Sequence, residues 1–261
     1  MRGRAAIAAT ALAVLPLAAG AECRLALALG LDVSGSVDGG EYRLQLHGLA
    51  EALVDEDVRA ALLAAPGFHV SLAVYEWSST SYQNLFVDWT DITDADALDA
   101  LAGRVRAHGR SDAPQATGLG TALDFGTDLL DARDDCWDRT LDISADGRNN
   151  DWPEPQRLRD LGHLGDHRIN GLAVASSALG SAGTTSPVGA RELSEYFEAQ
   201  IIHGPDAFVE VALGYRDYGR AMKRKLLREI ATLPLGQAPA TWPAAVEIAD
   251  AGMPRPGADA Q

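Results

Sequence analysis

The chain has 261 residues, of which 47% are hydrophobic, enough to bury the core of one large domain or two small ones. Its formal net charge of −15 argues against a nucleic-acid or anionic-membrane surface and is compatible with cation binding. The alternative is that the acidity only keeps the protein soluble.

The first 21 residues have the pattern of a secretory signal peptide. Arg2 and Arg4 precede an apolar run over 5–17 that is too short to span a bilayer, and residues 19–21 (AGA) fit a cleavage site. No later apolar run is long enough for a membrane span. We therefore expect a soluble protein that is periplasmic or secreted.

Hydrophobic periodicity predicts strands that alternate with helices along the rest of the chain. In chain order these are strand 25–31, helix 41–53, a continuation or second helix 58–65, strand 69–77, strand 82–89, helix 94–107, a helix opened by Thr117, strand 139–145, short helix 155–164, strand 168–175, helix 190–202, strand 207–213 and helix 215–232.

This alternation predicts an α/β fold built on one doubly wound, mostly parallel, Rossmann-like sheet. Strand 82–89 follows strand 69–77 through a tight turn, which predicts one short antiparallel edge strand. We expect a single domain over 22–236. Residues 237–261 are rich in Pro and Ala, which predicts a disordered tail.

Oxygen-bearing side chains stand at three places where the predicted sheet ends. Asp32, Ser34 and Ser36 follow the first strand, Thr117 precedes a helix, and Asp146 ends strand 139–145. Ligands of open α/β sheets bind at the carboxyl ends of strands, so these residues are expected to meet. Hydroxyls and carboxylates without His or thiolate suit a hard cation: Mg²⁺, with Mn²⁺ or Ca²⁺ as alternatives. Ordinary turns and a helix N-cap are the competing explanations.

These motifs resemble the metal-ion-dependent adhesion site of von Willebrand factor type A domains, and the resemblance covers roughly residues 23–233. The segments DVSGSVD, DGRNN and AFVEVALGYRDYGRAMKRKLLREIA resemble more closely a bacterial family of secreted proteins of this type whose function is unknown. The resemblance implies that Ser34, Ser36 and Thr117 bind the ion directly, while Asp32 and Asp146 act through water and hydrogen bonds. It also implies an open coordination position that accepts an acidic residue of a protein partner.

Four further residues are candidates for the rim of this site or for partner contact. Glu76 and Trp77 end a strand expected to run parallel to the first, and Asn149 and Asn150 follow Asp146. Core packing is the alternative for Trp77, and turn chemistry is the alternative for the asparagines.

Three other features concern packing and cross-linking. Cys23 and Cys136 each shortly precede a strand, so export and parallel neighbouring strands would favour a disulfide, with two free thiols as the alternative. Asp142 lies in a buried strand and is expected to pair with a helix residue or to bond near the site. The last helix carries basic residues that we expect on its solvent-exposed face: Lys223, Arg224, Lys225 and Arg228.

The leading hypothesis is a divalent-cation-dependent protein-binding module of the cell envelope, with no catalytic residues and no nucleic-acid partner. An enzyme is the second hypothesis. Ser34 lacks the first glycine of the G-x-S-x-G elbow, no histidine is placed to serve as its base, and metal hydrolases use more direct carboxylates. The third is an envelope assembly protein with a vestigial metal site.

Overall fold

The computed structural model describes residues 21–175 and 187–231. The predicted tail lies outside the described residues, and so does the predicted signal peptide apart from residue 21. Segment 176–186 also lies outside them.

Six strands and seven α-helices make up the described part of the chain. The strands are β1 (Glu22–Asp32), β2 (Phe68–Trp77), β3 (Gln83–Ile92), β4 (Arg139–Ala145), β5 (Arg168–Val174) and β6 (Val209–Ala212). The helices are α1 (Gly39–Val54), α2 (Glu56–Leu62), α3 (Ala95–Ala107), α4 (Leu119–Asp131), α5 (Pro155–Asp160), α6 (Pro187–Gln200) and α7 (Tyr218–Ala231), with a 3-10 turn at Tyr215–Asp217 before α7.

The strands form one sheet in the order β3-β2-β1-β4-β5-β6, with β2 and β3 antiparallel and all other neighbours parallel. The predicted α/β fold class is confirmed, and so is the antiparallel strand at the edge. That edge strand is longer than predicted, because residues Thr90 to Ile92 continue the pairing with Leu72 to Val70.

Strand β1 is buried on both faces, which explains its continuous apolar sequence. Leu25, Leu27 and Leu29 pack into a cluster with α1, α3 and α7, whereas Ala26 and Ala28 pack into a second cluster with α4 and α6. Alternation along the strand thus supplies both layers of the core.

A disulfide joins Cys23 and Cys136, whose Cα atoms lie 4.5 Å apart across 113 residues of sequence. The pairing register of β1 with β4 begins nearby, at Ala26 and Arg139. The bridge therefore holds the amino ends of two central strands together, as the parallel-neighbour argument predicted.

The solvent-exposed position predicted for Lys225 is wrong. Its side chain is fully buried, and Nζ lies 2.8 Å from Asp142 Oδ2 and 2.6 Å from Glu229 Oε1. Helical spacing explains the difference, because Lys225 shares the inward face of α7 with Tyr218, Met222 and Glu229. Asp142 therefore pairs with a helix residue, one of the two roles expected for it.

Candidate metal site

Three loops meet at the carboxyl edge of the sheet. Strands β1 and β4 are neighbours, with Leu31 opposite Ser144, so the residues that follow each strand emerge side by side. The start of α4 is held to the end of β2 by a 2.6 Å hydrogen bond from the Gly118 amide to the Ser78 carbonyl. Segments far apart in sequence are thereby brought to one point.

The predicted ligand residues lie within hydrogen-bonding distance of one another. Ser34 Oγ is 3.2 Å from Ser36 Oγ, and Ser36 Oγ donates to Asp146 Oδ1 at 2.6 Å. Thr117 Oγ1 donates to Ser34 Oγ at 3.4 Å, and the Ser34 amide donates to Asp32 Oδ1 at 2.7 Å. The structure brings all five together, and their roles as direct metal ligands or as hydrogen-bond partners of the ligands and of metal-bound water stay a prediction.

The two carboxylates of this cluster are in an unfavourable electrostatic setting. Burial raises the pKa of Asp32 to about 7, the nearby charge of Asp146 adds to the rise, and hydrogen bonds from Ser34 oppose it. Asp32 Oδ2 is buried and accepts no hydrogen bond from the described part of the chain. A hard cation, or water bound to one, would satisfy this oxygen and offset both charges, so the donor set fits such an ion.

Contacts that the sequence did not predict hold the Asp32–Ser36 loop in place. Arg110 donates to the carbonyls of Val33 and Val37, both at 3.2 Å, and Gln45 Nε2 donates to the Asp32 carbonyl at 2.9 Å. Arg110 stands in a polar stretch that has no periodicity, so no pattern in the sequence pointed to it. These side chains fix the backbone from which the hydroxyls project.

Thr117 is not the N-cap of the helix that follows it. The cap position of α4 is Gly118, and no side chain makes a capping hydrogen bond there. The hydroxyl of Thr121, inside the first turn of α4, donates to the Gly118 carbonyl at 3.1 Å. The Thr117 hydroxyl therefore faces Ser34 rather than its own helix.

Asn150 holds Thr117 through two hydrogen bonds. The Thr117 amide donates to Asn150 Oδ1 at 2.8 Å, and the Asn150 amide donates to the Thr117 carbonyl at 2.9 Å. Asn149 makes turn contacts instead, since its Nδ2 donates to the Asp151 carbonyl at 2.6 Å. Asn150 thus links the loop after β4 to the loop before α4.

The loop after β4 is tied to its neighbours at further points. Asp151 Oδ2 accepts from the Thr80 amide at 2.9 Å, and the Asn149 amide donates to the Tyr196 hydroxyl at 3.1 Å. A Cβ on Gly120 would lie 2.0 Å from the Pro153 carbonyl oxygen, so only glycine allows this close approach of the loop to α4.

The prediction that Glu76 and Trp77 form an exposed rim is wrong, because both side chains have zero exposed fraction. Strand β2 is covered at this end by the loop after α3. Glu76 accepts from the hydroxyls of Tyr42 and Tyr82, and its other partners are Asn84, His108 and Ser111.

Burial opposes the charged form of Glu76, yet hydrogen bonds from Ser111, Tyr42 and Tyr82 lower its pKa below the ordinary value. Through His108 and Ser111, the buried Glu76 carboxylate holds the loop after α3 in place.

One other grouping of potential ligands occurs in the described residues: Cys23, Asp135 and Cys136. Both sulfurs are used in the disulfide, so the grouping offers no thiolate to a metal.

The sequence matches the family model described as "Protein of unknown function (DUF1194)" over residues 22–234. No curated protein matches it.

Solved structures share the fold at low identity. Proximal thread matrix protein 1 from the mussel byssus, solved with a zinc-occupied MIDAS motif, superposes with a TM-score of 0.53 at 13% identity over 81% of this chain and 47% of that one. The pilus adhesin SpaC of Lactobacillus rhamnosus GG superposes with a TM-score of 0.54 at 14% identity, over 81% of this chain and 31% of that one. A von Willebrand factor type A protein of Catenulispora acidiphila superposes with a TM-score of 0.51 at 13% identity, over 80% of this chain and 42% of that one. The chain spans less than half the length of each, and these likenesses establish a von Willebrand factor type A fold.

Proposed function

The chain belongs to the DUF1194 family, and we propose that it is a divalent-cation-dependent protein-binding module that acts in the cell envelope, outside the cytoplasm. The observation that carries the proposal is the convergence of three hydroxyls and two carboxylates at one edge of the sheet. They come from three segments distant in sequence: 32–36, 117 and 146.

The residues of the cluster divide into two roles. Ser34, Ser36 and Thr117 offer neutral hydroxyl oxygens as direct ligands, whereas Asp32 and Asp146 accept hydrogen bonds and compensate charge from behind. When bound, a divalent cation supplies a coordination position for an acidic side chain of a protein partner. Neutral ligands favour this step, because they leave the charge of the ion incompletely compensated. Recognition of this kind requires no bond to be made or broken, so we assign no catalytic residue.

Two observations support a location outside the cytoplasm. The N-terminal sequence has the pattern of a signal peptide, and a disulfide joins Cys23 to Cys136, a cross-link that persists in oxidising compartments. Within residues 21–175 and 187–231, no helix is both long and apolar enough to cross a membrane.

The names of the structural neighbours are consistent with a role in protein binding. One is a pilus adhesin and another is a byssus matrix protein with a zinc-occupied MIDAS motif. Since fold alone does not fix function, the donor set of this chain carries the proposal and the neighbours only support it.

Metal binding is tested by calorimetric titration of the purified chain with Mg²⁺, Mn²⁺ and Ca²⁺. We expect a single site with Mg²⁺, and we expect Thr117→Ala to weaken its affinity at least about tenfold. Thr121→Ala is the matched control, because that hydroxyl bonds only within its own helix. Absence of binding for all three ions, or equal loss in both variants, would contradict the proposed site and favour a vestigial one.

Partner recognition is tested by capture from an envelope extract with Mg²⁺ and with a chelator. Proteins retained by the wild type only with Mg²⁺, and lost from Thr117→Ala, are the expected result. Retention that ignores both the chelator and the substitution would contradict a metal-dependent mechanism.

A further inference from the structure

A groove of about 710 Å³ lies between helix α1 and the segment that begins α7. Arg43, Leu44 and His47 line it from α1, and Arg216, Arg220 and Lys223 line it from the other side. Gly40 from the start of α1 and Tyr215 from the 3-10 turn line it as well.

The two walls meet at a pair of glycines. A Cβ on Gly48 would lie 2.8 Å from the Gly219 amide nitrogen, and a Cβ on Gly219 would lie 3.1 Å from the Gly48 Cα. The close approach of the α1 and α7 backbones at these glycines forms the bottom of the groove, and the larger side chains of the two segments form its sides. The concavity is thus built by backbone packing.

The charge of the groove is opposite to that of the chain. Acidic residues outnumber basic ones by 37 to 22 overall, whereas the groove lining has four Arg and Lys residues against Glu51 and Asp55. Lys223 is paired with Asp55 at 2.8 Å and Arg220 with Asp217 at 2.6 Å.

Arg43 and Arg216 have no such partner. Both are exposed, and neither guanidinium makes an ion pair or a hydrogen bond with the described residues. These two guanidinium groups line one concave site of an acidic protein, and an anionic ligand would compensate their charge. Guanidinium groups suit carboxylates in particular, because they bind them through two parallel hydrogen bonds.

The groove also has an apolar component. Leu44 inside it is 41% exposed, and Leu213, which is 54% exposed, lines an adjoining cavity with Arg216 and Arg220. Exposed leucine beside arginine suits a peptide with both acidic and apolar residues. A concave site between two helices favours such a segment over the surface of a bilayer.

We propose that this groove binds an acidic segment of a partner protein, with carboxylates on Arg43 and Arg216 and an apolar side chain over Leu44. This contact is separate from the metal site and does not require a bound cation.

The test uses a display library of random dodecapeptides panned against the purified full chain in the presence of EDTA. We expect enriched peptides to be rich in Asp and Glu with interspersed apolar residues, and to bind more weakly as salt rises. The double variant Arg43→Glu with Arg216→Glu should bind these peptides at least about tenfold more weakly. The matched control reverses two exposed arginines on α3, Arg104→Glu with Arg106→Glu, and should bind like the wild type.

Several results would overturn the proposal. One is a set of enriched peptides that has no excess of Asp and Glu, and another is peptide binding that is weakened equally in both double variants. A third is peptide binding that occurs only after residues 232–261 are deleted, because the occupant of the groove would then be a segment of this chain. Arg43- and Arg216-dependent binding to anionic phospholipid vesicles, with no acidic peptide enriched, would also overturn it. Because the panning is done without a divalent cation, failure here is distinguishable from failure of the metal-dependent function.

Discussion

The buried Lys225 gives the sharpest test of how the last helix is attached to the sheet. Its ammonium lies 2.8 Å from Asp142 Oδ2 on β4 and 2.6 Å from Glu229 Oε1 on α7, and all three side chains are at most 1% exposed. Asn170 on β5 adds a 2.8 Å hydrogen bond to the same Glu229 oxygen. The variant Lys225→Met keeps a side chain of similar length and removes the ammonium, with both its charge and its hydrogen-bond donors.

Removing one partner of a buried ion pair leaves an uncompensated charge, which typically costs about 3–5 kcal/mol of unfolding free energy. Here two carboxylates share one ammonium, so we expect Lys225→Met to lose about that amount at pH 8. Lys223→Met is the matched control on the same helix, because Lys223 pairs with the aspartates Asp55 and Asp57 at the surface. Surface pairs contribute roughly 0–1 kcal/mol, so its effect should be small.

The loss should depend on pH. Burial raises the pKa of Asp142 from 3.8 to about 7, with Lys225 opposing the rise and Glu229 adding to it. A carboxyl whose folded pKa lies above its unfolded value stabilises the folded state at low pH, and this contribution is lost as pH rises through about 7. Without Lys225 the folded pKa rises further, so protonation at pH 5 should recover about half or more of the stability lost at pH 8.

Urea denaturation followed by circular dichroism at pH 8 and pH 5 measures both effects. A loss of under about 1 kcal/mol at pH 8 would refute the buried ion cluster as described. An equal loss of unfolding free energy at pH 8 and pH 5 would contradict the raised pKa of Asp142.

Three other predictions concern the candidate site and the frame around it. Asn150→Ala should weaken Mg²⁺ affinity about tenfold in calorimetry, because it removes the oxygen that accepts from the Thr117 amide and leaves only the backbone hydrogen bond between the two residues. Asn150→Asp keeps an accepting oxygen and should retain most of the affinity, and an equal effect of Asn149→Ala would contradict this role. Gly120→Ala should lower the unfolding free energy by about 1–3 kcal/mol through its clash with the loop after β4. Gly103→Ala, on an open face of α3, should instead raise the unfolding free energy by about 0.4–1 kcal/mol. A lower unfolding free energy for Gly103→Ala would contradict the assignment of the Gly120→Ala effect to a steric clash. Replacing both cysteines by serine should lower the unfolding free energy by about 5 kcal/mol, given the 113-residue separation, and an unchanged Tm would count against the cross-link.

The sequence alone determined the order of strands and helices, because hydrophobic periodicity is a local property of the chain. The apolar run of β1 predicted a central strand, and the turn after β2 predicted the antiparallel edge. The ligand candidates were also found from sequence, since their position at strand ends follows from the topology of an α/β sheet.

Only the tertiary structure decided which polar side chains are buried and what they contact. Helical spacing is consistent with an inward position for Lys225, but its charge partner Asp142 lies on β4, which no local pattern indicates. The hydrogen bonds that hold Glu76 come in part from α1 and from the loop after α3, which are also distant in sequence. The support that Arg110 and Asn150 give to the loops of the candidate site likewise depends on contacts across 33 to 77 residues of sequence. Such contacts are fixed by strand register and helix packing, which no short window of sequence contains.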